Sequence, residues 1–180
     1  MIETPRLILR RWRDEDRAPY AAMMADPEVG YWLGGSLTRD AATVQIDRFE
    51  VELATSGWGF LALEHKADGA FLGAAALRPV HEPLPPAPAV EIGWRLAPAA
   101  WGRGFATEAA AALLADGFRR RGLAEVIAFT AWSNRRSQAV MERIGMARDP
   151  TRDFEHPNLA VGHPLRPHIV YLAKAVIPDA

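Results

Sequence analysis

Leu7, Leu9 and Arg11 alternate with Ile8, Arg10 and Trp12 behind Pro5, a period of two that predicts a first strand. Two helices are expected after it. The first runs from about Asp14 to Ala25, where Asp26-Pro27 ends it; the second begins after Thr38, an N-cap residue type, and stops near Gly57. Between them, Tyr31-Trp32-Leu33-Gly34-Gly35 reads as a loop carrying two aromatics. Trp58 to Glu64 and Ala70 to Leu77 form a hairpin through Lys66-Ala67-Asp68-Gly69, in which Asp-Gly is a strong turn dipeptide. Pro79, Pro83, Pro85, Pro86 and Pro88 keep the next stretch out of helix and central strand, because proline lacks the amide donor. Val90, Ile92, Trp94 and Leu96 then alternate with Glu91, Gly93 and Arg95, a strand that breaks at Pro98.

The period changes to that of a helix near Gly104. Phe105, Ala109, Leu113, Leu114 and Phe118 fall on one stripe, Arg119 to Arg121 suit the negative end of the helix dipole, and Gly122 stops the helix. A buried strand, Val126 to Thr130, follows. Ser133 or Asn134 caps a second amphipathic helix with Ser137, Val140, Met141 and Ile144 on one face, closed by Gly145. A loop rich in histidine and proline leads to a final strand, about His168 to Lys174. Strands followed by βαβα elements predict an α/β fold, a mixed sheet packed with helices.

With 180 residues and almost half of them apolar, the chain supports one sizeable core, so residues 1–180 are read as a single domain. The formal charge of -1 gives no basic field for nucleic acid, and Arg119-Arg120-Arg121 are accounted for by the helix end. The chain has no cysteine, which removes thiolate nucleophiles and sulfur-ligated metals. His156, His163 and His168 match no helical ligand pair and are separated by prolines, so no metal is expected. No segment approaches the roughly 18 apolar residues of a membrane helix, and the start lacks a signal sequence; a cytoplasmic protein is expected.

The chemistry concentrates at Trp101-Gly102-Arg103-Gly104-Phe105-Ala106. Strand, short loop, two glycines and a helix aim several backbone N–H groups at one spot beside a positive helix terminus, an arrangement that binds phosphate. A glycine turn that merely starts a helix has the same outline. A Walker loop would need Lys-Ser/Thr where Phe105-Ala106 stand, and a dinucleotide fingerprint would need glycine or alanine at Thr107.

Glu91-Ile92-Gly93-Trp94, then Trp101 through Ala109, then Asn134-Arg135-Arg136-Ser137 through Met141-Glu142-Arg143-Ile144-Gly145-Met146 resemble the GNAT acetyltransferases in order and spacing. The opening Thr4-Pro5-Arg6-Leu7-Ile8-Leu9-Arg10 resembles the branch that holds the ribosomal-protein N-terminal acetyltransferases. Trp101 departs from the Gln or Arg that usually opens the turn.

This resemblance implies a mostly antiparallel sheet splayed at its centre. Trp94, Arg95 and Leu96 would lie along the pantetheine arm of acetyl-CoA, and Gly102, Arg103, Gly104, Phe105, Ala106 and Thr107 would hold its pyrophosphate, with CoA as product. It implies acetyl transfer to a primary amine, either a protein N-terminus or a small molecule, in a monomer or homodimer. Glu91 is the candidate base, directly or through water; otherwise it is a strand carboxylate pairing with Arg95. Many family members place a tyrosine acid where Met141 stands, so Asn134 and Ser137 become the candidates beside the cofactor sulfur, although Asn134 also suits a cap and Ser137 an inner helix face. Trp32, Trp58 and Phe60 are candidates for lining the acceptor site, which the histidine-rich loop would help to shape. The rival readings are a non-catalytic CoA-binding regulatory module and, more remotely, a nucleotide-binding domain.

Overall fold

The computed structural model describes residues 1–175. Strands β1 (Ile2–Glu3) and β2 (Leu7–Arg10) open the chain, followed by a 3-10 turn, Asp14–Asp16. Three helices come next: α1 (Arg17–Ala25), α2 (Pro27–Leu33) and α3 (Arg39–Ser56). Strands β3 (Gly59–His65), β4 (Phe71–Val80) and β5 (Ala89–Leu96) lead through helix α4 (Phe105–Arg119) to β6 (Glu125–Ala131). Helix α5 (Arg135–Arg143) and strands β7 (Ala147–Arg148), β8 (Phe154–Glu155) and β9 (Pro167–Lys174) complete it.

One sheet runs β1-β2-β3-β4-β5-β6-β9-β7, with β8 also on β9. Every neighbouring pair is antiparallel except β5 and β6, which are parallel and share one register pair, Glu91 with Ile127. Beyond that pair the strands part, leaving the β5 backbone from Gly93 to Leu96 without a neighbour on that side. This is the mixed, mostly antiparallel sheet flanked by helices that the sequence predicts.

Alternation along the strands loads both faces. Phe60, Ala62, Ala74 and Ala76 pack with Trp12, Tyr20, Ile46 and Phe49 under α1 and α3, while Leu7, Leu9, Leu63, Leu77, Ile92 and Leu96 pack with Phe105, Ala109 and Leu113 of α4. The two elements with the clearest end signals form as expected. In α3 the Thr38 side chain accepts from the Ala41 amide and Gly57 turns left-handed at the C-cap, φ 70°. In α4 the stripe from Phe105 to Leu114 is buried and the helix ends at Arg119.

Three local expectations change. The first strand stops at Arg10, because Trp12 turns inward and donates Nε1–H to the Phe60 carbonyl at 2.7 Å. Tyr31 to Leu33 are helical, not loop: Asp26 caps α2 by accepting from the amides of Glu28 (2.8 Å) and Val29 (3.3 Å), and Pro27 needs no donor in the first turn. Pro79 lies within β4, since from Arg78 onward that strand has β5 as its only neighbour and tolerates a missing donor.

Gly73 is held by its surroundings. It follows Leu72, the extra residue of β4 where the register shifts between Leu63 and Glu64, and has φ 145°; a Cβ there would lie 2.3 Å from the Arg95 carbonyl oxygen and 2.7 Å from Leu96 Cα.

Candidate functional site

The parting of β5 and β6 opens a cleft of about 1520 Å³. Its wide end holds the glycine turn. Gly102 and Gly104 have φ of 72° and 80°, a left-handed region that glycine adopts without a Cβ penalty. Among the described residues, none of the amides from Gly102 to Thr107 donates to a protein acceptor, and Gly104 offers no side-chain cap. Donors without a close protein acceptor thus lie at the positive end of α4, which suits a phosphate. Trp101 fixes the turn to the strand it leaves, donating Nε1–H to the Leu96 carbonyl at 2.8 Å, and Arg136 from α5 lies 4.8 Å from its ring.

The opening segment braces this turn from outside. Glu108, in the first turn of α4, accepts from Thr4 Oγ1 (2.6 Å), the Arg6 amide (2.9 Å) and Arg6 Nε (2.7 Å), while Arg6 Nη1 donates to the Arg103 carbonyl at 3.0 Å. Partial burial opposes ionisation of Glu108, but the bonds from Thr4 and Arg6 outweigh it and hold the carboxyl below its ordinary range. A carboxylate of lowered pKa stabilises the fold above its unfolded pKa and loses that contribution as pH falls through the folded value. Glu108→Ala is expected to lower stability by about 2 kcal/mol at neutral pH, the scale of hydrogen bonds to a charged group. Urea unfolding of both proteins should show the gap closing as pH is lowered through the carboxylate range.

At the base of α5, Asn134 is buried and caps the helix, its Oδ1 accepting from the Ser137 amide at 3.2 Å. Ser137 is half-buried on the cleft wall and its hydroxyl has no protein partner among the described residues. Met141 is buried beside it. Residues Trp94, Arg95, Leu96, Trp101, Gly102, Gly104, Phe105, Ala106, Thr107 and Asn134 all line the cleft, as does Trp32; Arg103 does not, and instead places its guanidinium 4.8 Å from the Phe105 ring.

Other expected positions are relocated. Glu91 does not line the cleft: it is buried, and it pairs with Arg78 directly across β4, 2.5 Å from Nε, not with Arg95. Burial pushes its carboxyl up, with Arg78 and Arg95 opposing. Arg95 turns the other way, donating to Tyr20 Oη and Gln45 Oε1, each at 3.2 Å, above the Phe60 ring. Phe60 is thus core. Trp58 lies outside the cleft, under the guanidinium of Arg121 at 4.3 Å near the C-terminal end of α4: it precedes β3, and Gly59, at φ 145°, separates it from the strand alternation that places Phe60 on the other face.

Arg78 carries no local signal in the sequence, and the histidines stand out there only as rejected metal ligands in a loop expected to shape the acceptor site. Arg78 reaches the cleft wall from β4. His156 and His168 also line the cleft, with ring centroids 4.8 Å apart, and His168 packs against Phe154 and Phe129. His168 Nδ1 faces the Arg166 carbonyl at 3.2 Å, which can only accept, so the neutral ring carries its lone pair on Nε2. Desolvation lowers the pKa of both imidazoles. His163 stays in the loop and accepts from the Leu165 amide. Among the described residues there is no cluster of three or more His, Asp or Glu suited to a metal ion, and no helix long and apolar enough to cross a membrane.

A sheet parted along one parallel edge, with an amide-lined turn at its wide end, defines the architecture of an acyl-CoA-dependent transferase. Residues 6–147 match the family described as Acetyltransferase (GNAT) domain, and the chain belongs to the GNAT acetyltransferases. It is 34% identical over 156 residues to the FsC-acetyl coenzyme A-N(2)-transacetylase of Aspergillus fumigatus, covering 83% of this chain and 66% of that longer protein. The acetyltransferase from Agrobacterium tumefaciens superposes with a TM-score of 0.75 at 29% identity, over 96% of this chain and 92% of that one. The ribosomal alpha-N-protein acetyltransferase RimL in complex with coenzyme A shares the fold, with a TM-score of 0.74 at 14% identity over 96% of each chain.

Proposed function

We propose that this protein is a single-domain N-acetyltransferase that moves an acetyl group from acetyl-CoA to a primary amine by direct attack in a ternary complex. The parting of β5 from β6 after Glu91 and Ile127 carries this reading, because it leaves extended backbone free to pair with a pantetheine arm whose pyrophosphate reaches the amides of the glycine turn. The resemblance of the Thr4-to-Arg10 segment supports kinship with the ribosomal-protein branch, and the fold shared with RimL is compatible with it.

The reaction needs a neutral amine, donors for the oxyanion and a proton for the departing thiolate. The free β5 amides near Gly93 supply the first donors. Ser137, its hydroxyl unengaged, stabilises the departing thiolate by donating a hydrogen bond to it, the thiolate then taking a proton from solvent; Asn134 positions Ser137 through the helix cap. His168 Nε2 takes the ammonium proton, directly or through water, while the buried Glu91 serves this site by holding Arg78. As the C–N bond forms, the C–S bond breaks and the electron pair leaves on sulfur.

Incubation with acetyl-CoA and a panel of peptides and amines should release free CoA thiol. Ser137→Ala should slow that release about 100-fold, the scale of removing one hydrogen-bond donor from a developing anion, with CoA affinity by calorimetry little changed. Tight CoA binding with no turnover on any amine would instead favour a regulatory CoA-binding module.

A further inference from the structure

We propose that the acceptor amine carries a negatively charged group, a carboxylate or a phosphate, and that Arg78 receives it; the inference rests on the acetyl-transfer reading above. Arg78 lines the cleft at its narrow end, where β5 and β6 still pair, far along the sheet from the glycine turn at the wide end. The phosphates of CoA have their own donors there, so Arg78 is not needed for them. Its Nε is committed to Glu91 Oε1 at 2.5 Å, and its Cζ stands 5.5 Å from the Phe60 ring. Among the described residues, neither Nη donates to a protein acceptor. A planar fork fixed by a buried carboxylate on one side, with two N–H groups left toward a cleft, matches the geometry of carboxylate and phosphate oxygens.

The remaining charge around the cleft points the same way. Glu108 is the one carboxylate among the described lining residues, and it is occupied by Thr4 and Arg6 at the turn. Arg95 is a further cation of the lining, as are Arg6, Arg135, Arg136 and Arg143, whereas His156, Asn158 and His168 bring no carboxylate to it and desolvation disfavours the charged form of both imidazoles. A polyamine entering this space would bring a further cation beside Arg78 and Arg95 with no carboxylate to meet it, whereas an amino acid or a phosphate-bearing amine neutralises the excess.

The test compares kcat/KM, by thiol release, for free amino acids, phosphoethanolamine, the primary amides of the same amino acids, and spermidine. The anionic amines should exceed the amides by about tenfold or more, as expected for loss of a charged hydrogen-bonded partner, and spermidine should be slowest. The carboxylate and phosphate arms identify which anion is used. Arg78→Gln should bring the ratio of acid to amide close to one, mainly through KM. Because that change strands Glu91, the double variant Arg78→Met/Glu91→Leu removes both ends of the pair and should lose the same discrimination with an unchanged melting curve. Preference of the native protein for amides or spermidine, or discrimination that survives in both variants, would overturn the proposal. Failure to acetylate any amine would overturn the transfer reading itself, and this inference with it.

Discussion

Alanine at Gly73 is expected to cost the folded state about 3 to 5 kcal/mol, from a strained non-glycine backbone and a backbone clash together. The position combines φ of 145° with a would-be Cβ at 2.3 Å from the Arg95 carbonyl oxygen. Neither contact is with a flexible side chain that can swing aside, because the second atom met is Leu96 Cα at 2.7 Å. Relief therefore requires β5 to move away from β4 at the register pair Gly73 with Leu96. That movement displaces the strand end from which the glycine turn hangs. CoA affinity, measured by calorimetry below the melting transition, should fall together with the urea midpoint. A variant within about 1 kcal/mol of the native protein would show that β5 is not fixed by this contact.

The second large effect is expected at His168. Replacement by glutamine keeps an N–H for the Arg166 carbonyl but removes the basic nitrogen, and kcat/KM should drop about 100- to 1000-fold. The pH profile separates a proton acceptor from a packing residue. Desolvation lowers the pKa of His168 and the charge of nearby His156 acts in the same direction, whereas the carbonyls of Arg166 and Leu165 and the carboxylate of Glu155 oppose them. The base works in its neutral form, so activity is present above the folded pKa and lost as pH falls through it. The acid limb of kcat/KM should accordingly lie below the ordinary histidine value of about 6.5, and it should vanish in His168→Gln. A glutamine variant that retains both the rate and the limb would remove His168 from the reaction.

What the sequence disclosed was local chemistry. Thr38 and Gly57 bound α3 through contacts made within a few residues, and the turn from Trp101 to Thr107 is contiguous, so its glycines and the helix after it appear together in one short string. Asp26-Pro27 shows the limit of such signals, since the same dipeptide ends one helix and begins another. The acceptor side was far less legible. Arg78 meets Glu91 only because β4 and β5 pair in one register, and His156 meets His168 only because β8 and β9 do. Trp58 and Phe60 differ by two residues yet serve unlike surroundings, Phe60 in the core beneath Arg95 and Trp58 beneath Arg121 as the strand begins. Charge and aromatic content suggest candidates; strand register assigns them.

A single register pair joins the half of the sheet from β1 to β5 to the half from β6 to β9. Little backbone hydrogen bonding is common to the two halves, and the apolar contacts under α4 and α5 carry most of their cohesion. A molecule lying along the parted edge bonds to one half and packs on the other, and so acts as a noncovalent cross-link. Its binding free energy then appears as cooperativity: with the cleft filled the halves unfold as one body, and with it empty the seam is the place where they first come apart.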